Sequence, residues 1–123
     1  MAKSLNKVMI IGNVTKDIEL RYTQAGSGHC SFSVATNYSF KDKDGKVQEK
    51  AEFISVTAWG KLAKICSQLL ARGAKVYVEG RLQTREWKDE EKDTNRRITE
   101  VVAEQMIVLN SKPRVQTEEP IDN

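Results

Sequence analysis

EFISVTAWGKLAKICSQLLARGAKVYVEGRL, residues 52–82, contains the changes of periodicity that set the fold class. Over residues 52–59 the side chains alternate. Ile54, Val56 and Ala58 form one face, and Phe53, Ser55, Thr57 and Trp59 form the other, the period of two expected of a strand with one buried face. From Leu62 the spacing changes. Leu62, Ile65, Cys66, Leu69 and Leu70 fall at i, i+3, i+4, i+7 and i+8, one apolar stripe on a helix, and Gly73 stands where a helix C-terminal cap is expected. The period of two resumes at Lys75. Val76, Val78 and Leu82 take the parity expected to face a core, while Lys75, Tyr77, Glu79, Arg81, Gln83, Arg85 and Trp87 take the other.

Outward from this segment the chain reads as short strands. Upstream, residues 8–14 are aliphatic and bend at Gly12-Asn13, residues 18–23 continue that strand after a kink, and residues 24–28 form a turn. Residues 30–36 alternate, with Cys30, Phe32 and Val34 set against Ser31 and Ser33. Residues 41–46 make a charged hairpin tip with an Asp/Gly turn. Downstream, residues 88–96 are a very polar loop and a last strand covers residues 97–109. Three strands, a helix and two strands predict an all-β protein, a five-stranded OB-fold barrel with one α-helix between strands 3 and 4.

The chain has 123 residues, 39% hydrophobic and 30% charged, enough for one stable domain without disulfides or metal. Twenty basic and seventeen acidic residues leave a net charge of only +3, so the position of the charges matters more than their sum. Cys30 and Cys66 are accompanied by a single histidine, His29, with no metal-ligand spacing; they read as free core thiols in a reducing compartment. No metal and no cofactor are expected. Neither a signal peptide nor a membrane span is present, which predicts a soluble protein of the cytoplasm. No P-loop, triad-like motif or metal cluster exists to support chemistry, so the reading is not an enzyme. Both prolines fall in residues 111–123, with Glu118, Glu119 and Asp122. This predicts a domain over residues 1–110 and a disordered C-terminal tail over residues 111–123.

The aromatics are the informative residues. Trp59 and Trp87 both fall on polar faces, close in sequence to Lys61, Arg81, Arg85 and Lys88. A single aromatic so placed ordinarily packs under a loop or in a subunit contact. Interleaved with basic residues, it suits a sequence-tolerant binder of single strands, because bases offer flat π faces and phosphates offer charge. Strict parity puts Phe40 with Phe32 and Val34 on the core side, but on a hairpin arm beyond the barrel. Tyr22 and Tyr38 are undecided.

Several blocks resemble the bacterial-type single-stranded-DNA-binding proteins. They are NKVMIIGNV (6–13 and Val14), Glu19-Leu20-Arg21-Tyr22, Ser33-Val34-Ala35-Thr36-Asn37, Trp59-Gly60-Lys61-Leu62-Ala63, Val76-Tyr77-Val78-Glu79-Gly80-Arg81-Leu82, Arg85-Glu86-Trp87 and Thr99-Glu100-Val101-Val102-Ala103. They cover residues 6–109 in order. The resemblance implies an OB fold assembled as a homotetramer, serving DNA replication, recombination and repair. It implies bases stacked on Phe40, Phe53, Trp59 and Trp87, and phosphates held by Lys7, Arg21, Lys61, Arg81 and Arg85, with Lys75 and Lys88 secondary. Phe40 and Phe53 stand where well-known members commonly have tryptophan, so the same site with weaker stacking is expected. Family members usually end in an acidic tip closed by Pro-Phe that recruits replication and repair proteins. This chain ends Glu118-Glu119-Pro120-Ile121-Asp122-Asn123, so either it is shortened or it does not recruit partners in that way. The alternative reading is an OB adaptor, such as a primosome component, that binds proteins and touches DNA weakly. Trp59 and Trp87 discriminate: buried against protein in the adaptor, facing solvent in the binder.

Overall fold

In the computed structural model, which describes residues 2–110, the elements run β1 (Val8–Val14), β2 (Arg21–Tyr22), β3 (Gly28–Lys41), β4 (Val47–Trp59), α1 (Gly60–Leu69), β5 (Lys75–Asp89) and β6 (Thr94–Val108). The strands form one sheet in the order β1-β5-β6-β4-β3-β2. Pairing of Asn13 and Val14 with Ala35 and Val34 brings β1 back against β3 and closes the barrel. The five long strands are the predicted OB barrel, with α1 between the third and fourth of them; β2 is a two-residue addition beside the start of β3. The β4–β6 pairing, Val56 with Val101 and Thr57 with Val102, is parallel. Closure matters here because it leaves the long strands with few unpaired edges.

The alternation read from the sequence fills the barrel. Cys30, Phe32, Val34, Val56, Ala58, Val76, Val78 and Val101 are buried, joined by Ala63, Cys66 and Leu70 from α1 and its C-cap. Cys30 and Cys66 are both free and buried. A hydrogen bond donated to Cys30 and then burial hold the Cys66 thiol well above its ordinary value, so it remains a thiol. Two glycines permit close strand crossings. A Cβ on Gly12 would overlap the Ala35 carbonyl oxygen, and one on Gly80 would overlap the Val102 carbonyl oxygen. Gly80 lies at a bulge: Glu79 pairs with Gln105 and Gly80 with Ala103, leaving Glu104 as the extra residue on β6.

Local expectations are corrected at several points. Residues 18–20 are not strand; only Arg21 and Tyr22 pair, with His29 and Gly28. The backbone N–H of Arg72 donates to Asp17 Oδ1 at 2.9 Å, tying this stretch to the turn beyond α1 rather than to the sheet. Gly73 is not the helix cap. Leu70 is, its N–H donating to the Cys66 carbonyl, while Gly73, at φ +91°, turns the chain toward β5. The helix stripe is narrower than expected: Cys66 and Leu70 are buried, Leu62 packs against the core and Ala63 joins them, whereas Ile65 and Leu69 are exposed. Leu82 keeps the inward parity of Val76 and Val78 yet is exposed, because β5 has passed the end of the core there. Asn6 brackets its backbone with two 2.9 Å hydrogen bonds. The hairpin tip forms as expected around Asp42. Its carboxylate accepts from Gln48 and from the Lys46 and Asp44 N–H groups, which hold its pKa below the ordinary value. The tail expected over residues 111–123 lies outside the described residues.

Candidate nucleic-acid interface

Register decides which side chains share a surface, because directly paired residues in a sheet project to the same side. Arg21 pairs with His29 and His29 with Trp59. Along the same side, Ser31 pairs with Thr57, Ser33 with Ser55 and Ala35 with Phe53. Thr57 then pairs with Val102 of β6, and the β6 residues of that parity, Val102, Glu100, Ile98 and Arg96, pair with Arg81, Gln83, Arg85 and Trp87 of β5. One outer face therefore runs across β2, β3, β4, β6 and β5. It collects Arg21, Phe53, Trp59, Arg81, Arg85 and Trp87, residues spread over much of the chain.

The aromatics on this face are open: Phe53 is 64% exposed, Trp59 45% and Trp87 47%. The same face carries a groove in two adjoining parts. The first, of about 610 Å³, is walled by Lys16, Asp17, Ile18, Glu19 and Arg21 and floored by His29, Cys30 and Ser31. The second, of about 190 Å³, shares Lys16 and Ser31 and continues past Ser33 and Ser55 to Arg85, Ile98 and Glu100. Serine hydroxyls on the floor supply donors and acceptors without bulk.

The basic residues of the face are held by carboxylates. Arg85 makes a two-pronged pair with Glu100, Nε to Oε2 at 3.0 Å and Nη2 to Oε1 at 3.3 Å. Glu100 is only 5% exposed, so this pair fixes the guanidinium in place. From there Arg85 lies over the Trp87 ring, 5.5 Å from its centroid, which restrains the indole by a cation–π contact. Arg81 faces Glu104 at 3.9 Å and Arg21 faces Glu19 at 2.8 Å, both exposed pairs of small energetic weight that a phosphate can replace. At the other end, His29 stacks on Trp59 with centroids 4.3 Å apart.

The remaining residues expected from the resemblance lie elsewhere. Lys61, at the start of α1 beside Trp59, lines a hollow with Leu20, Tyr22, Gly28, Gly60 and Lys64, and has no carboxylate partner among the described residues. Phe40 is on the opposite parity, in the β3–β4 arm, with Tyr38 at 6.2 Å and the Lys50 ammonium 6.0 Å from its centroid. Lys7 joins Glu79 at 2.5 Å on the outer side of β1 and β5. There Lys7 and then the Tyr77 hydroxyl hold the Glu79 carboxyl below its ordinary pKa, and Glu79 raises that of Lys7. Lys88 pairs with Asp93 at 3.5 Å.

Sequence reasoning missed Lys16, His29, Ser31, Glu100 and Ile98. The alternation of His29, Ser31 and Ser33 against Cys30, Phe32 and Val34 was a usable signal for the groove floor. No local pattern marks Lys16, in a loop, or Glu100, whose partner lies across the β5–β6 ladder. Among the described residues, no group of three or more His, Cys, Asp or Glu side chains is placed to hold a metal ion, and no helix is long and apolar enough to cross a membrane.

The sequence profile of the single-strand binding protein family matches residues 5–109. This chain belongs to that family. It is similar to single-stranded DNA-binding protein 1 of Chlorobaculum tepidum, with 47% identity over 91% of this chain and 69% of the relative. To the single-stranded DNA-binding protein of Helicobacter hepaticus it is 43% identical, over 88% of this chain and 63% of that one. The chain thus spans about two thirds of the length of these relatives. The structure is similar to that of a Plasmodium falciparum single-strand binding protein solved in complex with single-stranded DNA, with a TM-score of 0.80 and 29% identity over 89% of this chain and 99% of that one.

Proposed function

We propose that the chain binds and protects single-stranded DNA with little regard to sequence, in replication, recombination and repair, and does no chemistry on it. The observation that carries this reading is the single face holding Phe53, Trp59 and Trp87 exposed beside Arg21, Arg81 and Arg85 along a continuous groove. Bases stack on the indoles and the phenyl ring, while phosphates take over the arginines from Glu19 and Glu104. Lys61 extends the basic path past Trp59, and Phe40 offers a further stacking surface on the β3–β4 arm. Lys7, committed to Glu79, contributes least. Oligo-dT titrated against tryptophan fluorescence tests the proposal: strong quenching by oligo-dT and little by duplex DNA is expected. Affinity falls as salt rises, with a log–log slope of about −0.7 per phosphate contacted. A salt-independent affinity, or equal binding of duplex, overturns the reading.

We propose further that the protein works as a homotetramer. Met9, Ile11, Tyr77 and Ile107 share one outer side of β1, β5 and β6 through the pairs Met9–Glu79, Ile11–Tyr77 and Tyr77–Ile107. Met9, Ile11 and Ile107 are exposed there, a contiguous apolar patch of the kind that marks an interface between subunits. Light scattering is expected to give four copies for the unaltered chain and smaller species for Ile11→Glu; a monomer at every concentration overturns the assembly. The binding unit falls within residues 1–110, and a reducing cytoplasm suits the free thiols of Cys30 and Cys66.

A further inference from the structure

His29 is the only histidine of the chain, and it sits in the groove rather than in the core. Its surroundings fix its chemistry. The Thr57 hydroxyl donates to the Cys30 carbonyl at 3.3 Å, so its oxygen is left to accept from His29 Nε2–H at 2.8 Å. Ser31 Oγ stands 3.4 Å from the same nitrogen. Nε2 is thereby assigned the proton, and Nδ1 has no partner among the described residues. The ring itself lies against Trp59 at 4.3 Å, tilted by 41°.

The charges of the wall that faces it are balanced. From the facing wall come Lys16 and Arg21 against Asp17 and Glu19, with Arg21 already paired to Glu19. From β4 come only Thr57 and Trp59, which are uncharged. Farther along the groove Arg85 is matched by Glu100, and beyond Gly28 the hollow beside Trp59 holds Lys61 and Lys64. One added proton therefore adds a cation to the groove where a strand stacked on Trp59 would pass.

We infer that His29 is a proton-dependent contact of the single-strand site, neutral as a prop for the Trp59 ring and, when protonated, a cation for the phosphate next to the base stacked there. This rests on the proposed binding of single strands. Neutral, the imidazole orients the indole through ring contact and is itself oriented by Thr57. Protonated, it keeps the Thr57 hydrogen bond and presents a new donor at Nδ1, so acid strengthens binding without rearranging the site.

The test is the affinity of the full chain for labelled oligo-dT at about pH 8 and about pH 5.5, an interval in which imidazoles gain a proton while carboxylates ordinarily do not. Thymine takes up no proton in that interval. The unaltered protein is expected to bind roughly twofold to fivefold tighter at the lower pH, the reach of one solvent-exposed charge pair, with a salt slope steeper by about 0.7. His29→Phe keeps a ring against Trp59 but has no proton to gain, and His29→Gln keeps a donor for Thr57; both are expected to lose the pH response and the added slope. A merely structural role would lower affinity equally at both pH values. Thermal melts of both variants identify which one is folded as the parent is, and the response is read on that one. If a folded variant keeps the parent's pH ratio, or the parent binds oligo-dT with no pH response, the role of His29 is overturned while the binding function stands. If oligo-dT is not bound at either pH, both fall.

Discussion

Gly80→Ala is expected to lower the melting temperature by roughly 12–24 °C, an overpacking cost of about 3 kcal/mol converted at about 4–8 °C per kcal/mol. The added Cβ would overlap the Val102 carbonyl oxygen and crowd the Ala103 Cα, both backbone atoms of the neighbouring strand. A side chain could swing away; a paired strand cannot. Relief requires β5 and β6 to part at the bulge where Glu104 is extruded. The arm beyond that point carries Arg85 and Trp87, so single-strand affinity should fall together with stability. Gly26→Ala is the control. Gly26 has φ +89° in a turn, with open space around its Cβ position, and its substitution should cost only about 1 kcal/mol. Differential scanning calorimetry of both variants decides the matter. If Gly80→Ala melts within a couple of degrees of the parent, the β5–β6 crossing is more compliant than its geometry implies.

Trp87→Ala is expected to weaken oligo-dT binding by about 1–3 kcal/mol, the cost of one lost base stack, with little change in melting temperature. The indole is half exposed and pairs across β5–β6 with Arg96, outside the packed barrel. Its principal restraint is the Arg85 guanidinium, which Glu100 holds whether or not the ring is present. Truncation should therefore remove stacking area and leave the charge in position. The affinity would fall while the salt slope stays nearly constant, since no phosphate contact is lost. A variant that binds oligo-dT as the parent does but melts several degrees lower would make Trp87 structural and remove a principal stacking residue from the proposed site.

The two tryptophans show how far periodicity reaches. Their polar parity in residues 52–59 and 75–87 was legible because a strand alternates whatever it pairs with, and the structure leaves both exposed. The same rule failed for Leu82 and Thr57. Leu82 has inward parity but lies past the end of the core, and Thr57 has outward parity but is buried under His29 with β6 pairing alongside. Parity reports a side of the strand; how much lies over that side depends on neighbours distant in sequence. The helix illustrates the same limit, since Cys66 and Leu70 of the apolar stripe are buried while Ile65 and Leu69 of the same stripe are exposed.

By itself the sequence determined the class and order of the long elements, the hairpin tip at Asp42, and the two thiols as core residues. Each follows from interactions within a few residues of the chain or from apolar spacing along one strand. Only the tertiary structure decided which strands neighbour one another, and with that the composition of the binding face. The parallel β4–β6 pairing carries the side of Trp59 over to the side of Arg85 and Trp87, and no local signal encodes a pairing between segments so far apart. The ion pair of Arg85 with buried Glu100 and the contact of His29 with Trp59 form across the β5–β6 and β3–β4 ladders, and the parallel pairing brings the two onto one face. Charge and stacking act through space over a few ångströms, so they depend on which strands pair and in what register, whereas alternation depends only on the backbone of a single strand.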